Sequence, residues 1–181
     1  MQVWVALLRA VNLGARNKVP MARLREVVAE LGGDSVATYI QSGNVVFARG
    51  KAADRTRLTK ELETAIESEF GVAAAVVLRT AAEIEKLAKS HPLGREGSQT
   101  HVAFLAAKPS AKAVRALDQL DLGADRFEVR GSDLFLHYPN GVQGSQLSAG
   151  RIEKTLGIAA TVRNWRTVTR LAEMAKEARA G

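Results

Sequence analysis

The stretch VATYIQSGNVVFA, residues 36–48, holds two runs rich in β-branched and aromatic residues, VATYI and NVVFA, that meet at QSGN. Gly43 offers the positive φ that a tight hairpin turn needs, so the stretch reads as two adjacent strands. Before it, Met21, Leu24, Val27, Val28 and Leu31 fall on one helical stripe that begins near Pro20 and ends at Gly32-Gly33. After it, Leu58, Leu62, Ile66 and Phe70 recur every fourth residue and close at Gly71. With QVWVALLR (2–9) ahead of the first helix and VAAAVVLR (72–79) behind the second, the order is strand, helix, strand, strand, helix, strand. That is the split βαβ, or ferredoxin-like, plan.

The plan recurs downstream. THVAFLA is a strand, SAKAVRALDQL a helix with Ser110 as N-cap, RFEVR and DLFLHY a hairpin across Gly131-Ser132, residues around Ile152 and Leu156 a short helix, and AATVR a last strand. The expected fold class is therefore α+β: two tandem ferredoxin-like (βαββαβ) subdomains packed into one body, at 1–79 and 100–163. A linking helix and loop occupy 80–99, with a capping box at Thr80 and Glu83 and the loop LGREGSQ after His91-Pro92. A C-terminal helix follows at 164–181, with Asn164 as cap and Trp165, Val168, Leu171, Ala172 and Ala175 on its apolar face. The duplication is one of architecture, since the halves share little sequence. QVWVALLR is apolar on both alternating faces, so its sheet is expected to be covered on both sides.

The 181 residues carry a formal charge of +7, with the surplus spread evenly through both halves. Such a surface attracts phosphate-bearing partners, and it also serves plain solubility. Cysteine is absent, which excludes disulfides and thiolate chemistry and suits a reducing cytoplasm, the expected location. No apolar run approaches the roughly 18 residues of a membrane span, and the N-terminus has no basic leader. No membrane partner is expected.

In a ferredoxin-like unit the first and second strands run parallel, which brings the loop after the first strand to the same end as the hairpin. Arg9, Asn12, Arg16, Asn17 and Lys18 then lie near Gln41, Ser42 and Asn44, a segment of amides and cations with no acid. Val19, expected at the cap position before Pro20, has no side-chain acceptor for the first helical N–H groups. A bound anion held by backbone donors, the helix dipole and Arg9, Arg16 or Lys18 is one way to satisfy them. Asn17 or a water is the other, and Ser42 and Asn44 also have ordinary roles as turn formers. By the same geometry Asn140, Ser145, Ser148, Arg163, Asn164 and Trp165 form a second polar candidate with an aromatic wall. The competing reading makes Trp165 core, Asn164 a cap and the serines turn or cap donors.

Enzyme signatures are scarce. His91, His101 and His137 stand apart without metal-ligand spacing, and no dinucleotide fingerprint, phosphate loop or nucleophile elbow is visible, so neither metal nor cofactor is expected. NVVFAR lacks the exposed aromatics of an RNA-binding sheet.

VALLRAVNLGARNKVPMARLR, YIQSGNVVF, SQLSAGRIEKTLG and ATVRNWRTVTRL together resemble the uncharacterised bacterial family catalogued as domain of unknown function 1697, in register over nearly the whole chain. The resemblance implies tandem ferredoxin-like subdomains and brings no established activity. Ala10 and Ala15 stand where the family commonly has glycine, and Gln146 where lysine is common, which stiffens the first loop and makes the second less basic. The leading expectation is a cytoplasmic binding protein for an anionic ligand, a nucleotide or nucleic-acid phosphate, at 9–18 and 41–44. The alternatives are an enzyme acting on a small polar substrate between the subdomains, and a protein-interaction module that pairs through its sheet edges.

Overall fold

The computed structural model describes residues 1–50, 54–94 and 97–180. Residues 95 and 96 of the expected linking loop, and residue 181, lie outside the described residues. In chain order the elements are β1 (Gln2–Leu8), α1 (Met21–Glu30), β2 (Asp34–Tyr39), β3 (Asn44–Arg49), α2 (Arg55–Phe70), β4 (Val76–Thr80), α3 (Ala81–Leu87), β5 (Thr100–Leu105), α4 (Ala111–Asp118), β6 (Arg126–Arg130), β7 (Asp133–His137), α5 (Ala149–Leu156), β8 (Ala160–Asn164) and α6 (Trp165–Ala180). The chain is thus a mixed α+β protein with two four-stranded antiparallel sheets, ordered β2-β3-β1-β4 and β6-β7-β5-β8.

The chain divides into two compact units, Met1–Lys86 together with the chain from Arg170 onward, and Leu87–Thr169. In the first, Trp4, Ala6 and Leu8 of β1 meet Leu24 and Val28 of α1 and Leu58, Leu62 and Ile66 of α2. Val3, Val5 and Leu7, on the opposite face of β1, are buried as well, as the two-sided pattern requires. In the second, Ala103, Leu105, Leu134 and Leu136 pack with Leu117, Ile152 and Leu156.

Helix ends follow local chemistry. Asp54 and Ser110 each accept a backbone N–H of the first turn, from Arg57 and Ala113, and Gly71 and Gly157 close α2 and α5 in the left-handed conformation at φ 64° and 67°. The capping box at Thr80 is present: its N–H donates to Glu83 Oε2 at 2.7 Å, and its hydroxyl accepts the Glu83 N–H at 3.3 Å. The start of α1 differs by one residue from expectation. Pro20, not Val19, occupies the cap position, since its ψ of 124° is extended, and no side chain caps this helix.

The two sheets are built by one device used twice. Leu8 N–H donates to Gly43 O and Arg9 N–H to Ala75 O; in the second unit Leu105 N–H donates to Ser132 O and Ala106 N–H to Ala159 O. A glutamate on the preceding helix accepts the first N–H of the last strand in both units, Glu63 from Val76 and Glu153 from Ala160. Each last strand has a buried arginine as its fourth residue, Arg79 opposite Val5 and Arg163 opposite Val102. The two halves match in residue type at these few positions, Glu63 with Glu153 and Arg79 with Arg163.

Candidate functional site

The loop from Arg9 to Pro20 is shaped by its own amides. Asn12 Oδ1 accepts the Val19 N–H at 2.8 Å, while Asn12 Nδ2 donates to Val19 O at 2.9 Å and to Gln41 O at 2.8 Å. Asn17 Nδ2 donates to Ala10 O, and Asn12 N–H to Asn17 O, both at 2.9 Å. One asparagine thus joins the loop to the hairpin. Ala10, Asn12, Gly14 and Asn17 all adopt left-handed backbone, φ 51–58°, a conformation that Asn and Gly tolerate and alanine less so.

The hairpin is built to receive this loop. A Cβ on Gly43 would lie 2.6 Å from Val11 Cγ2 and 2.7 Å from Leu8 Cβ, and its φ is +73°, so only glycine fits. Asn44, fully buried, donates to Tyr39 O and to the Ser42 hydroxyl, each at 3.0 Å. Ile40 holds φ at 49°, which is uncommon for a β-branched residue.

The structure ties the two segments of the first candidate together through Asn12 and Gln41, and gives its residues different work. Asn12, Asn17 and Asn44 hold the backbone. Arg16, Lys18 and Gln41 are exposed, with Lys18 Nζ donating to Gly14 O at 2.7 Å; Arg9 and Ser42 are half-buried. The first turn of α1 carries no acid. In the sequence no Asp or Glu occurs from residue 1 to 25 or from 35 to 53, and Arg9, Arg16, Lys18, Arg23 and Arg25 all fall in the first of these spans. Leu13 and Ile40, which sequence reasoning missed, project from the two segments, 62% and 52% exposed.

The second candidate is distributed over three places. Asn140 and Ser145 line a cavity of about 280 Å³ with Asp121, Asp125, Gln143 and Gln146. Ser145 Oγ donates to Asp125 Oδ2 at 2.5 Å. Ser148 caps α5, accepting the Arg151 N–H. Asn164 caps α6 by accepting the Arg166 N–H and donates to Gly97 O. Arg163 donates to Thr161 Oγ1 at 2.6 Å and Val162 O at 3.0 Å, and burial pushes its guanidinium down to about 10, still a cation at neutral pH.

Trp165 meets His91 edge to face at 5.0 Å, and His91 meets Phe135 at 5.1 Å. The Leu93 N–H donates to His91 Nδ1, so the neutral ring must donate through Nε2 to His101 O, 3.0 Å away. Burial above all lowers the pKa of His91, with the charge of His137 and Arg130 adding to it; burial lowers that of His101 as well. No group of three or more His, Cys, Asp or Glu side chains placed to hold a metal occurs among the described residues, and none of their helices is long and apolar enough to cross a membrane.

Comparison with known proteins gives a family and a fold. The model of the family described as "Protein of unknown function (DUF1697)" matches residues 1–135. The chain is similar to a solved structure, that of the conserved bacterial protein SP0830 from Streptococcus pneumoniae, at 21% identity, with 96% of this chain and 98% of that chain covered and a TM-score of 0.73. No curated protein matches.

Proposed function

The chain belongs to the DUF1697 family, and from that premise we propose that it is a binding protein for a phosphate-bearing anion, held where the Arg9–Pro20 loop meets the 40–43 hairpin. The strand orders β2-β3-β1-β4 and β6-β7-β5-β8 support reading each unit as ferredoxin-like, and that reading supplies the decisive comparison. In the second unit β5 is joined to α4 by 106–110 and β6 to β7 by 131–132; in the first the same joins use 9–20 and 40–43. The fold closes without the extra length. The longer pair, like the shorter one, holds no acid; it presents two cations to solvent, Arg16 and Lys18, where the shorter presents Lys108, and the second unit's join is closed by the side chain of Ser110. Loops that exceed what the scaffold needs, fixed by internal hydrogen bonds, are where binding residues concentrate.

Arg16 and the two ammonium protons that Lys18 does not give to Gly14 supply the charge; Gln41 supplies a neutral donor. The amides of Asn12 and Asn17 fix where those groups stand. To test this, inorganic phosphate, nucleotides and oligonucleotides are titrated at low and high salt into wild type and into Arg16→Ala/Lys18→Ala. Salt-sensitive binding by wild type, weakened in the double variant, is expected. Its absence in wild type overturns the proposal.

The cavity beside Asn140 and Ser145 favours a second reading, an enzyme for a small polar substrate. Its lining of Asp121, Asp125, Asn140, Gln143, Ser145 and Gln146 offers hydrogen bonds and negative charge. Chemical-shift changes confined to these residues on screening amines and sugars would select it. Pairing through sheet edges has less support. The outer strand β2 has a register shift between Asp34 and Ala37, and β6 carries Arg126, Glu128 and Arg130, both devices that discourage strand addition.

A further inference from the structure

Leu13 and Ile40 have no role in the anion site just described, yet they stand at its rim. Each is adjacent in sequence to the Asn12–Gln41 hydrogen bond that ties loop to hairpin, and each is more than half exposed. Both lie in the segments by which the first unit exceeds the second. Nothing in the scaffold calls for an aliphatic side chain in solvent there, and at Ile40 the residue also sits in a backbone conformation unfavourable to a β-branched side chain, φ 49°. Within their own two segments the charge is of one sign, Arg16 and Lys18 being exposed and neither segment holding an acid.

Resting on the anion-binding reading, we infer that the ligand is double-stranded DNA, with Arg16 and Lys18 on the phosphates and Leu13 and Ile40 pressed as wedges against base steps in the minor groove. Side chains this exposed enclose no mononucleotide, which binds in a concavity that buries most of its surface. Single strands are held chiefly by stacking bases on aromatic rings, and these two segments offer none: Tyr39, beside Ile40, is half-buried. Aliphatic wedges flanked by cations on a rigid backbone are instead the equipment of proteins that unstack and bend a duplex. A pI near 10.0 supplies the long-range attraction.

The test uses a 20-base-pair duplex labelled at both ends for energy transfer, its single strand, the same duplex as RNA, and inorganic phosphate. Wild type is expected to bind the DNA duplex most tightly and to bring its ends closer. Leu13→Ala and Ile40→Asn, the latter chosen because asparagine accepts the left-handed conformation, each weaken duplex binding roughly tenfold and abolish the approach of the ends, with the salt slope unchanged. Arg16→Ala and Lys18→Ala each lower that slope by about one. Tightest binding to the single strand, the RNA or phosphate, or a duplex bound and bent equally by the Leu13 and Ile40 variants, overturns the inference and leaves the anion site standing. No salt-sensitive binding by any probe removes both.

Discussion

The whole amide of Asn12 is engaged by its own chain: one acceptor and two donors meet the two main-chain groups of buried Val19 and the carbonyl of Gln41. Asn12→Ala leaves both main-chain groups of buried Val19 without their partner, at a left-handed position, and unmet buried groups of this kind cost about 1–3 kcal/mol each. A loss of about 3 kcal/mol is expected from urea denaturation midpoints at unchanged m-value. Gly43→Ala should be at least as damaging, because its new methyl collides with Val11 and Leu8 and its φ is wrong for alanine; a cost of about 3 kcal/mol follows from overpacking plus backbone strain. The sequence placed these residues correctly beside one another. It did not reveal which end of each amide faces inward, because an asparagine that binds a ligand and one that staples a loop have the same composition and spacing. The exposure of Leu13 was hidden for a related reason: an apolar residue in a basic loop is read as core until its neighbours are seen to leave it in solvent.

Helices and strands were readable because periodicity and punctuation agreed: the Leu58, Leu62 and Ile66 stripe closed by Gly71 became α2, and the turn at Gly43 became the β2–β3 hairpin. Leu62→Ala removes the middle of that stripe, and a loss of about 3 kcal/mol is expected, as for other fully buried leucines. Where an element is positioned by side chains distant in sequence, the signal was absent. The segment before β5 is hitched to it by neutral His91, whose two nitrogens are committed to Leu93 N–H and His101 O. Protonation would set two N–H groups against each other at Nδ1. Since burial lowers the pKa in the folded protein, the unfolded chain binds the extra proton first. The histidine contribution is then complete above the unfolded value of about 6.5 and is lost as pH falls from there toward the folded value. Denaturation midpoints measured from pH 8 to 5 should fall on the acid side. His91→Phe, which keeps the ring between Phe135 and Trp165, should flatten that fall without abolishing it, because His101 shifts in the same direction. A pH response equal to wild type would show that His91 is not its source.

Across the chain as a whole, the recurring order of elements was legible and the matched residues were not, because they are few and separated by joins of unequal length. Register exposes them. Glu63 and Glu153 receive the first N–H of the last strand, Arg79 and Arg163 stand fourth in it, and Thr80 and Asn164 cap the helix that follows at once. Arg79 and Arg163 are both buried, and burying a guanidinium is costly unless its donors are met. In the second unit two of those donors meet Thr161 Oγ1 and Val162 O on the same strand. Arg163→Met preserves apolar bulk but removes both donors, so β8 should loosen at the edge of its sheet by about 1–3 kcal/mol. Because stability is local as well as global, hydrogen exchange followed by mass spectrometry is the apt measurement: protection should fall first in β8 and in β5, the strand it pairs with, while β2 and β3 of the first unit keep wild-type rates. Uniform loss across both units would mean that Arg163 supports the chain globally rather than the strand that carries it.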